Sequence, residues 1–467
     1  MKKYYFTRLI NFSEKSQQVK KLNHILIIGA GRSATDLIDY VLEKAKEFSW
    51  SVTVADADPD LASKKIRNHP NGRAAWLDVT KNNDRLDLID RADLVVSLLP
   101  AYLHIEVAHD CIRLKKHLIT ASYVSKEMYS LGDEAQKREL IFMGEMGLDP
   151  GIDHMSAMQK IDEIKEMGGE LLSFKSYTGG LIAPENDNNP WNYKFTWNPR
   201  NVVLAGQGTA QYLEDGKYKY IPYNRLFQNY WNVDIEGMGP YEMYANRDSL
   251  LYRKTYGLDK IPTLIRGTLR NVGFCDAWDA LIKIGLTDSS FPILESKNLS
   301  YLGLMEAYLG SAPRMGSVKE GIADFLGETT DSKVMKKLEW LGLFRKKRIK
   351  LVRATPALIL ENLLLKKWKL STGDKDMIIM QHEFEYKLKD KNKKLISTLV
   401  MKGKDEYHTA MSRLVGVPLG IFVKEVMLGK ITQTGVNIPV VKEVYQPVLE
   451  ELKEYGVVFR EKLIDLD

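Results

Sequence analysis

From His24 to about residue 145 the chain repeats one unit: a short apolar run, then a stretch with apolar residues at helical spacing. HILIIGAG (24–31) precedes ATDLIDYVLEKAKEF (34–48), and SVTVAD (51–56) precedes DPDLASKKIRN. AAWLDV (74–79), LVVSLL (94–99), HLITAS (117–122) and LIFMGE (140–145) follow, separated by helical stretches around 81–91, 102–115 and 125–138. Strands without polar alternation are buried on both faces, which requires helices on both sides of a parallel sheet. The alternation therefore predicts a doubly wound parallel sheet.

The first strand runs into G-A-G-R-S-A, which sets Gly29, Gly31 and Ala34 in the pattern G-x-G-x-x-A, with Arg32 and Ser33 between. The first glycine permits a tight turn, the second lets backbone approach a pyrophosphate, and the small third residue lets helix pack on strand. The pyrophosphate is expected at the helix N-terminus, where unpaired N–H groups favour anions. Asp56 ends the next strand, where a carboxylate accepts from ribose hydroxyls. A preceding strand, a following helix and this acid make dinucleotide binding the preferred reading. A nucleotide-free scaffold and a methyltransferase are the alternatives. Asp78 in the third strand, and Ser97, Leu98 and Pro100 in SLLPAYLH, are further candidate cofactor neighbours.

Ligands in such sheets sit at the carboxyl ends of the strands. ASYVS places Ser122 and Tyr123 after the fifth strand, and GLDPGIDH (147–154) follows the sixth. The latter holds Asp149, Pro150, Gly151, Asp153 and His154. A plain turn with an aspartate cap is the competing reading. Three consecutive polar strand ends at one edge favour a ligand site instead.

Past GLDPGIDH the texture changes. Glycine pairs, tryptophans and tyrosines cluster between 168 and 248, and helical patterns dominate from about 275 to 370. DMIIMQHEFEYKL, the polar turn KDKNKK and LISTLVMKG signal a hairpin. Helix returns at 408–429 and 444–455. The basic run RKKRIK (345–350) is short and reads as a solvated face.

Composition excludes several classes. A net charge of +6 over 467 residues is too modest for a dedicated nucleic-acid binder. The longest late apolar stretch, LVGVPLGIFVKEVMLG, is broken by Pro418 and Lys424, so no membrane span is expected. Cys111 and Cys275 alone make no disulfide framework or zinc pattern, which suits a reducing, cytoplasmic setting. The N-terminus MKKYYFTRLINFSEKSQQVKK reads as a plain extension, with a transit peptide as the alternative. No ligand cluster with metal spacing appears.

GLDPGIDH, SYTGGLIAPENDNNPWNYKFTW (176–197), ANRDS (245–249), LIRGTLR (264–270) and LEWLGLF (338–344) together resemble the glutamate-forming saccharopine dehydrogenase family. The resemblance runs from about residue 24 to the end. It implies a Rossmann-type nucleotide domain (22–146 and 405–467), a mixed α/β domain for substrate binding and dimerisation (147–275 and 371–404), and a small helical domain (276–370). It implies a homodimer, and helix 408–429 packing back on the nucleotide domain. The implied reaction oxidises the secondary amine of saccharopine with a nicotinamide nucleotide and water, giving glutamate and 2-aminoadipate 6-semialdehyde.

Three substrate carboxylates call for guanidinium forks. The resemblance places Arg247 and Arg270 as those forks, with Thr268 and Leu269 beside them. It carries substrate contacts to Ser122 and Tyr123, and cofactor contacts to Ser122, Asp149, Pro150 and Gly151. Lys194 and Trp197 are expected near the site. Asp149, Tyr123 and His154 are the acid–base candidates, Asp149 leading. Fungal members carry an arginine just after the second strand, against the NADP 2′-phosphate. Here Ala57 follows Asp56, so NAD is expected over NADP, although Lys64, Lys65 or Arg32 in range leaves NADP as the alternative. A related C–N oxidoreductase (carboxynorspermidine or lysine 6-dehydrogenase) and a catalytically silent nucleotide-binding regulator are the competing functions.

Overall fold

A computed structural model describes residues 22–205, 207–310 and 316–466. The N-terminal extension lies outside the described residues.

Six of the expected strands are present: β1 (His24–Ile28), β2 (Ser51–Asp56), β3 (Gly72–Trp76), β4 (Leu94–Ser97), β5 (His117–Thr120) and β6 (Ile141–Met143). With β15 (Gly435–Asn437) they form a seven-stranded parallel sheet in the order β15-β6-β5-β4-β1-β2-β3. The order reverses between β1 and β4, which opens a crevice at their carboxyl ends. Several strands stop short of their predicted limits. β6 ends before Glu145 because that residue takes a left-handed φ of 56°. Asp78 lies beyond β3 in a turn, where its carboxylate accepts from the Thr80 N–H and hydroxyl. The helix predicted over 125–138 is two short ones, Lys126–Tyr129 and Gly132–Lys137.

The second sheet is nine-stranded and mixed. It contains β7 (Glu170–Ile182), β8 (Ala210–Glu214), β9 (Lys217–Ile221), β10 (Tyr230–Ile235), β11 (Gly239–Ala245), β12 (Thr263–Asn271), β13 (Asp376–Leu388), β14 (Lys391–Lys402) and β16 (Arg460–Asp465). The central β7–β12 pair is parallel and β13 joins β7 antiparallel. The hairpin is tighter than its sequence suggests. Only Lys389 and Asp390 turn, with Lys389 left-handed at φ 56°, and Lys391, Lys393 and Lys394 already belong to β14.

The helices Phe274–Ile284, Val318–Leu326, Lys333–Leu341 and Pro356–Lys367 enclose an aromatic core. Trp191, Phe274, Trp278 and Trp368 are buried there, the Phe274 and Trp278 rings stacked at 5.5 Å. The helix Ala410–Met427 packs on the helix Thr35–Phe48, and the approach depends on two glycines. A Cβ at Gly416 would meet the Leu37 nitrogen at 2.5 Å, and one at Gly420 would meet the Tyr40 ring at 2.6 Å. β16 leaves this unit and pairs with β14, whose outer edge otherwise presents unpaired backbone groups. The span 405–467 is thus shared between the sheets. Among the described residues no helix is long and apolar enough to cross a membrane.

Candidate active site

The glycine loop lies where the crevice opens. Gly29 has φ 105°, and a Cβ there would press on the Leu98 carbonyl oxygen at 3.0 Å. Nothing lies within 4 Å of a Cβ placed on Gly31, so backbone there stands open to a ligand. These residues fit a pyrophosphate. The long helix does not start at once. Arg32–Ala34, with Ser33 at its centre, forms a 3₁₀ turn before Thr35.

Asp56 ties β2 to this loop: one oxygen accepts the Ala30 N–H at 2.7 Å and the other the Asp58 N–H at 2.9 Å. The following helix is capped by Asp58, not Asp56. Lys65 donates to the Gly31 carbonyl at 2.5 Å and the Thr35 hydroxyl at 2.8 Å, and burial pulls its pKa down to about 8. Arg32 does not turn to the ribose side; it donates across the crevice to the Phe195 carbonyl at 3.2 Å.

GLDPGIDH folds as a tight loop opening the helix Ile152–Glu166. Gly151 has φ 145°, and a Cβ there would overlap the Gly147 backbone, so only glycine fits. Asp149 faces the crevice with its side chain 15% exposed, against 2% for Asp153. The Tyr123 hydroxyl donates to Asp149 Oδ1 at 3.0 Å, and Arg266 Nη2 donates to the same oxygen at 2.9 Å. Among the described residues Oδ2 makes no hydrogen bond. Arg266 also donates to Asp153 Oδ2 at 2.5 Å, and its guanidinium lies 4.5 Å from the Tyr252 ring centre. Asp153 Oδ1 accepts the Gly151 N–H at 2.6 Å, so this residue does serve the turn.

The two aspartates are pushed apart in acidity. Burial, then the Asp153 charge, raises Asp149 above the usual carboxylate range. Burial also opposes ionisation of Asp153, but His154 and Arg266 outweigh it and hold that carboxyl low. Burial raises the Tyr123 hydroxyl as well. A pair separated in this way marks one carboxyl for proton transfer and one as a fixed anion.

His154 stands behind this layer. It is fully buried, with Nε2 at 2.8 Å from Glu145 Oε2 and Nδ1 at 2.5 Å from the Tyr256 hydroxyl. As an acid–base candidate it is corrected: its ring is enclosed and both nitrogens are taken up by these partners. Glu145 also accepts from the Val124 N–H and the Tyr252 hydroxyl.

Along β12, residues 266, 268 and 270 share one face. Arg270 is buried, its guanidinium 5.2 Å from the Tyr193 ring centre and 5.3 Å from that of Phe274. It donates to the Leu269 carbonyl at 2.9 Å, while its Nε has no partner. The buried hydroxyls of Tyr193, Thr178 and Thr196 are also unpartnered. Thr268 pairs in register with Thr178. Arg247, with a left-handed φ of 46°, stacks 5.1 Å from the Tyr123 ring centre. Among the described residues neither Arg247 nor Arg270 has a carboxylate within 4 Å.

The side chains of two expected neighbours are engaged elsewhere. Leu269 is a fully buried residue of the aromatic core. Lys194 is locked in an internal ion pair with Asp374 at 2.6 Å. Trp197 is half-buried beside both cores. Sequence reasoning missed Arg266, although the alternation of LIRGTLR puts it on the same face as Arg270.

A crevice with a glycine loop on one wall and a tuned aspartate with unpaired guanidinium groups on the other defines a nicotinamide-nucleotide-dependent oxidoreductase. Residues 25–143 match the family described as "Saccharopine dehydrogenase NADP binding domain", and residues 147–457 the "Saccharopine dehydrogenase C-terminal domain". The chain belongs to the saccharopine dehydrogenase family. It is 33% identical over 450 residues to "Saccharopine dehydrogenase [NADP(+), L-glutamate-forming]" of Schizosaccharomyces pombe, covering 94% of this chain and 99% of that one. It is 32% identical over 451 residues to "Alpha-aminoadipic semialdehyde synthase, mitochondrial" of Bos taurus, covering 93% of this chain and 47% of that one. The solved apo saccharopine dehydrogenase (L-Glu forming) of Saccharomyces cerevisiae superposes with a TM-score of 0.84 at 32% identity, covering 95% of this chain and all of that one.

Proposed function

We propose that this chain oxidises saccharopine with a nicotinamide nucleotide and water to glutamate and 2-aminoadipate 6-semialdehyde. The observation that carries the reading is the pair Arg247 and Arg270, two guanidinium groups without carboxylate partners on the wall that bears Asp149. Arg270 is buried, where an unpaired cation is costly and a substrate carboxylate relieves that cost, while Arg247 is exposed and can meet a second carboxylate.

The nicotinamide ring, when bound, accepts the hydride. The carbon that loses it is the one that becomes the aldehyde. This chain supplies orientation and proton transfer. Arg247 and Arg270 hold carboxylates, and Tyr123 and Arg266 fix Asp149 Oδ1. Oδ2 takes the proton of the secondary amine, leaving the nitrogen lone pair that stabilises the imine. That proton passes to solvent, and the freed oxygen then accepts one from the water that adds to the imine carbon and returns it to the nitrogen as the C–N bond breaks.

Mixing the purified protein with saccharopine and either nucleotide, and following reduced-cofactor absorbance, tests the reading. Turnover with saccharopine is expected. Turnover with lysine alone would move the assignment to a lysine 6-dehydrogenase, and no turnover with either nucleotide would favour a silent regulator.

The choice of NAD over NADP is part of the proposal. The family domain and the fungal relatives carry NADP in their names, which speaks against it. Asp56 supports it, since its carboxylate at the end of β2 opposes a second phosphate. That contrast is worth roughly 2–3 kcal/mol, about 30- to 150-fold in kcat/KM. Equal efficiencies or a preference for NADP overturn it. A homodimer and a cytoplasmic setting complete the reading, the first resting on the resemblance and the second on two free, buried cysteines. Sedimentation and fractionation test them.

A further inference from the structure

His104 opens the helix His104–Leu114 and is buried, 5% exposed. Its ring bridges two strand ends. Nδ1 lies 2.8 Å from the hydroxyl of Ser97, the last residue of β4. Nε2 lies 2.8 Å from the hydroxyl of Ser122, just past β5. Ser97 immediately precedes Leu98, which meets the glycine turn at Gly29, and Ser122 adjoins Tyr123 at the crevice.

The proton count around this bridge has one solution that leaves no buried donor idle. Burial pushes the His104 pKa down to about 4, so the ring is neutral and carries a single N–H. Ser97 is fully buried, and the histidine is the one partner of its hydroxyl among the described residues. If Nδ1 carried the proton, the Ser97 hydroxyl would accept it and its own proton would point at nothing. A buried unmade donor costs about 1–3 kcal/mol. If Nε2 carries the proton, Ser97 donates to Nδ1, and Nε2–H donates to the Ser122 oxygen. The Ser122 hydroxyl proton is then released toward the crevice.

We infer that His104 is a positioning residue: as the Nε2–H tautomer it fixes the Ser122 hydroxyl as a donor to an anionic group of the ligand in the crevice. The inference rests on the proposed reaction for the identity of that ligand, but the tautomer does not. A hydroxyl held as a donor suits a carboxylate and disfavours an ammonium, so the relay selects for charge at this end of the substrate. It also links the loop at the β4 end to the substrate wall through two hydrogen bonds.

The test has two arms. In the unliganded protein, ¹⁵N chemical shifts of the His104 ring separate the tautomers without reference to any reaction. A pyrrole-like Nε2 and a pyridine-like Nδ1 are expected; the opposite assignment, or an imidazolium at pH 7, overturns the inference. In the second arm, His104→Phe and His104→Gln are compared in wild-type and Ser122→Ala backgrounds. Nucleotide Kd is measured by fluorescence and saccharopine KM by turnover. His104→Phe should raise KM by about 10-fold with nucleotide Kd unchanged, and the effect should vanish when Ser122 is already alanine. His104→Gln, which retains a donor, should recover part of it. An equal loss in both backgrounds overturns the positioning role. If wild-type protein has no saccharopine turnover, the proposed reaction fails while the tautomer measurement still stands.

Discussion

Arg270 is a cation held in an aromatic cage, and among the described residues it makes no ion pair, although Glu242 stands opposite it in the strand register, its carboxylate taken up by the Gly273 and Cys275 N–H groups. Arg270→Ala should raise the saccharopine KM by about 30- to 1000-fold, roughly 2–4 kcal/mol, and leave nucleotide binding nearly unchanged. Steady-state kinetics with a separate nucleotide titration checks this. Asp149→Asn should cut kcat about 100-fold or more. Burial raises the Asp149 pKa, so in the wild type the acid limb of kcat/KM should fall at a higher pH than an ordinary carboxylate gives. Activity rises as pH climbs through that limb, because the ionised form accepts the proton. The limb should disappear from the residual activity of the variant. Asp149 and Tyr123 were legible as crevice residues because strand-end position and residue chemistry agree, and the structure brings them into hydrogen-bond contact. Arg266, Glu145 and His104 were not, since each takes its role from partners more than ten residues away or on another element. His154 looked reactive in sequence because a one-dimensional pattern cannot tell a crevice wall from the layer behind it.

At the scale of elements, β13 runs through the centre of the second sheet and carries His382, which is fully buried with Nε2 2.8 Å from the Ser156 hydroxyl. Burial lowers its pKa to about 4, and Asp153, Arg266 and His154 face it. The sign follows directly. Between about 6.5 and 4 the unfolded chain takes up a proton that the folded chain refuses, so folding stability falls as pH drops through that window. The full effect is about 3 kcal/mol. His382→Gln should flatten the dependence of the urea midpoint on pH between 6.5 and 4. The contact between the helices Thr35–Phe48 and Ala410–Met427 gives a second test. Gly416→Val has no room and should lower stability by about 2 kcal/mol or more, read as an earlier urea midpoint at unchanged slope. Helices and long strands were legible through periodicity. Their ends were not: β6 stops at a left-handed glutamate and the β13–β14 turn at a left-handed lysine, conformations those residue types do not announce.

For the whole molecule, the decisive fact is that one buried cluster spans both sheets. Ile25, Leu37, Phe174, Met380, Leu414 and Val448 belong to it together. Residues 22–146 expressed alone should therefore fail to fold cooperatively, lacking the helix Ala410–Met427 and β15, and should show poorly dispersed amide NMR signals. A sharp, dispersed spectrum would contradict this. β15 and β16 were hardest to foresee, because three and six residues carry too little pattern and their places are set by edges built earlier in the chain, β6 nearly three hundred residues before β15 and β14 about sixty before β16. The late docking of the helix Ala410–Met427 also has a meaning in time. On a ribosome adding about 5–20 residues per second, roughly 20–75 s pass between emergence of the helix Thr35–Phe48 and arrival of its partner. Throughout that interval Leu37, Tyr40 and Val41 stand uncovered. A nascent chain of this design depends on whatever shelters apolar surface during synthesis, and its yield should respond to translation speed more than its finished stability does.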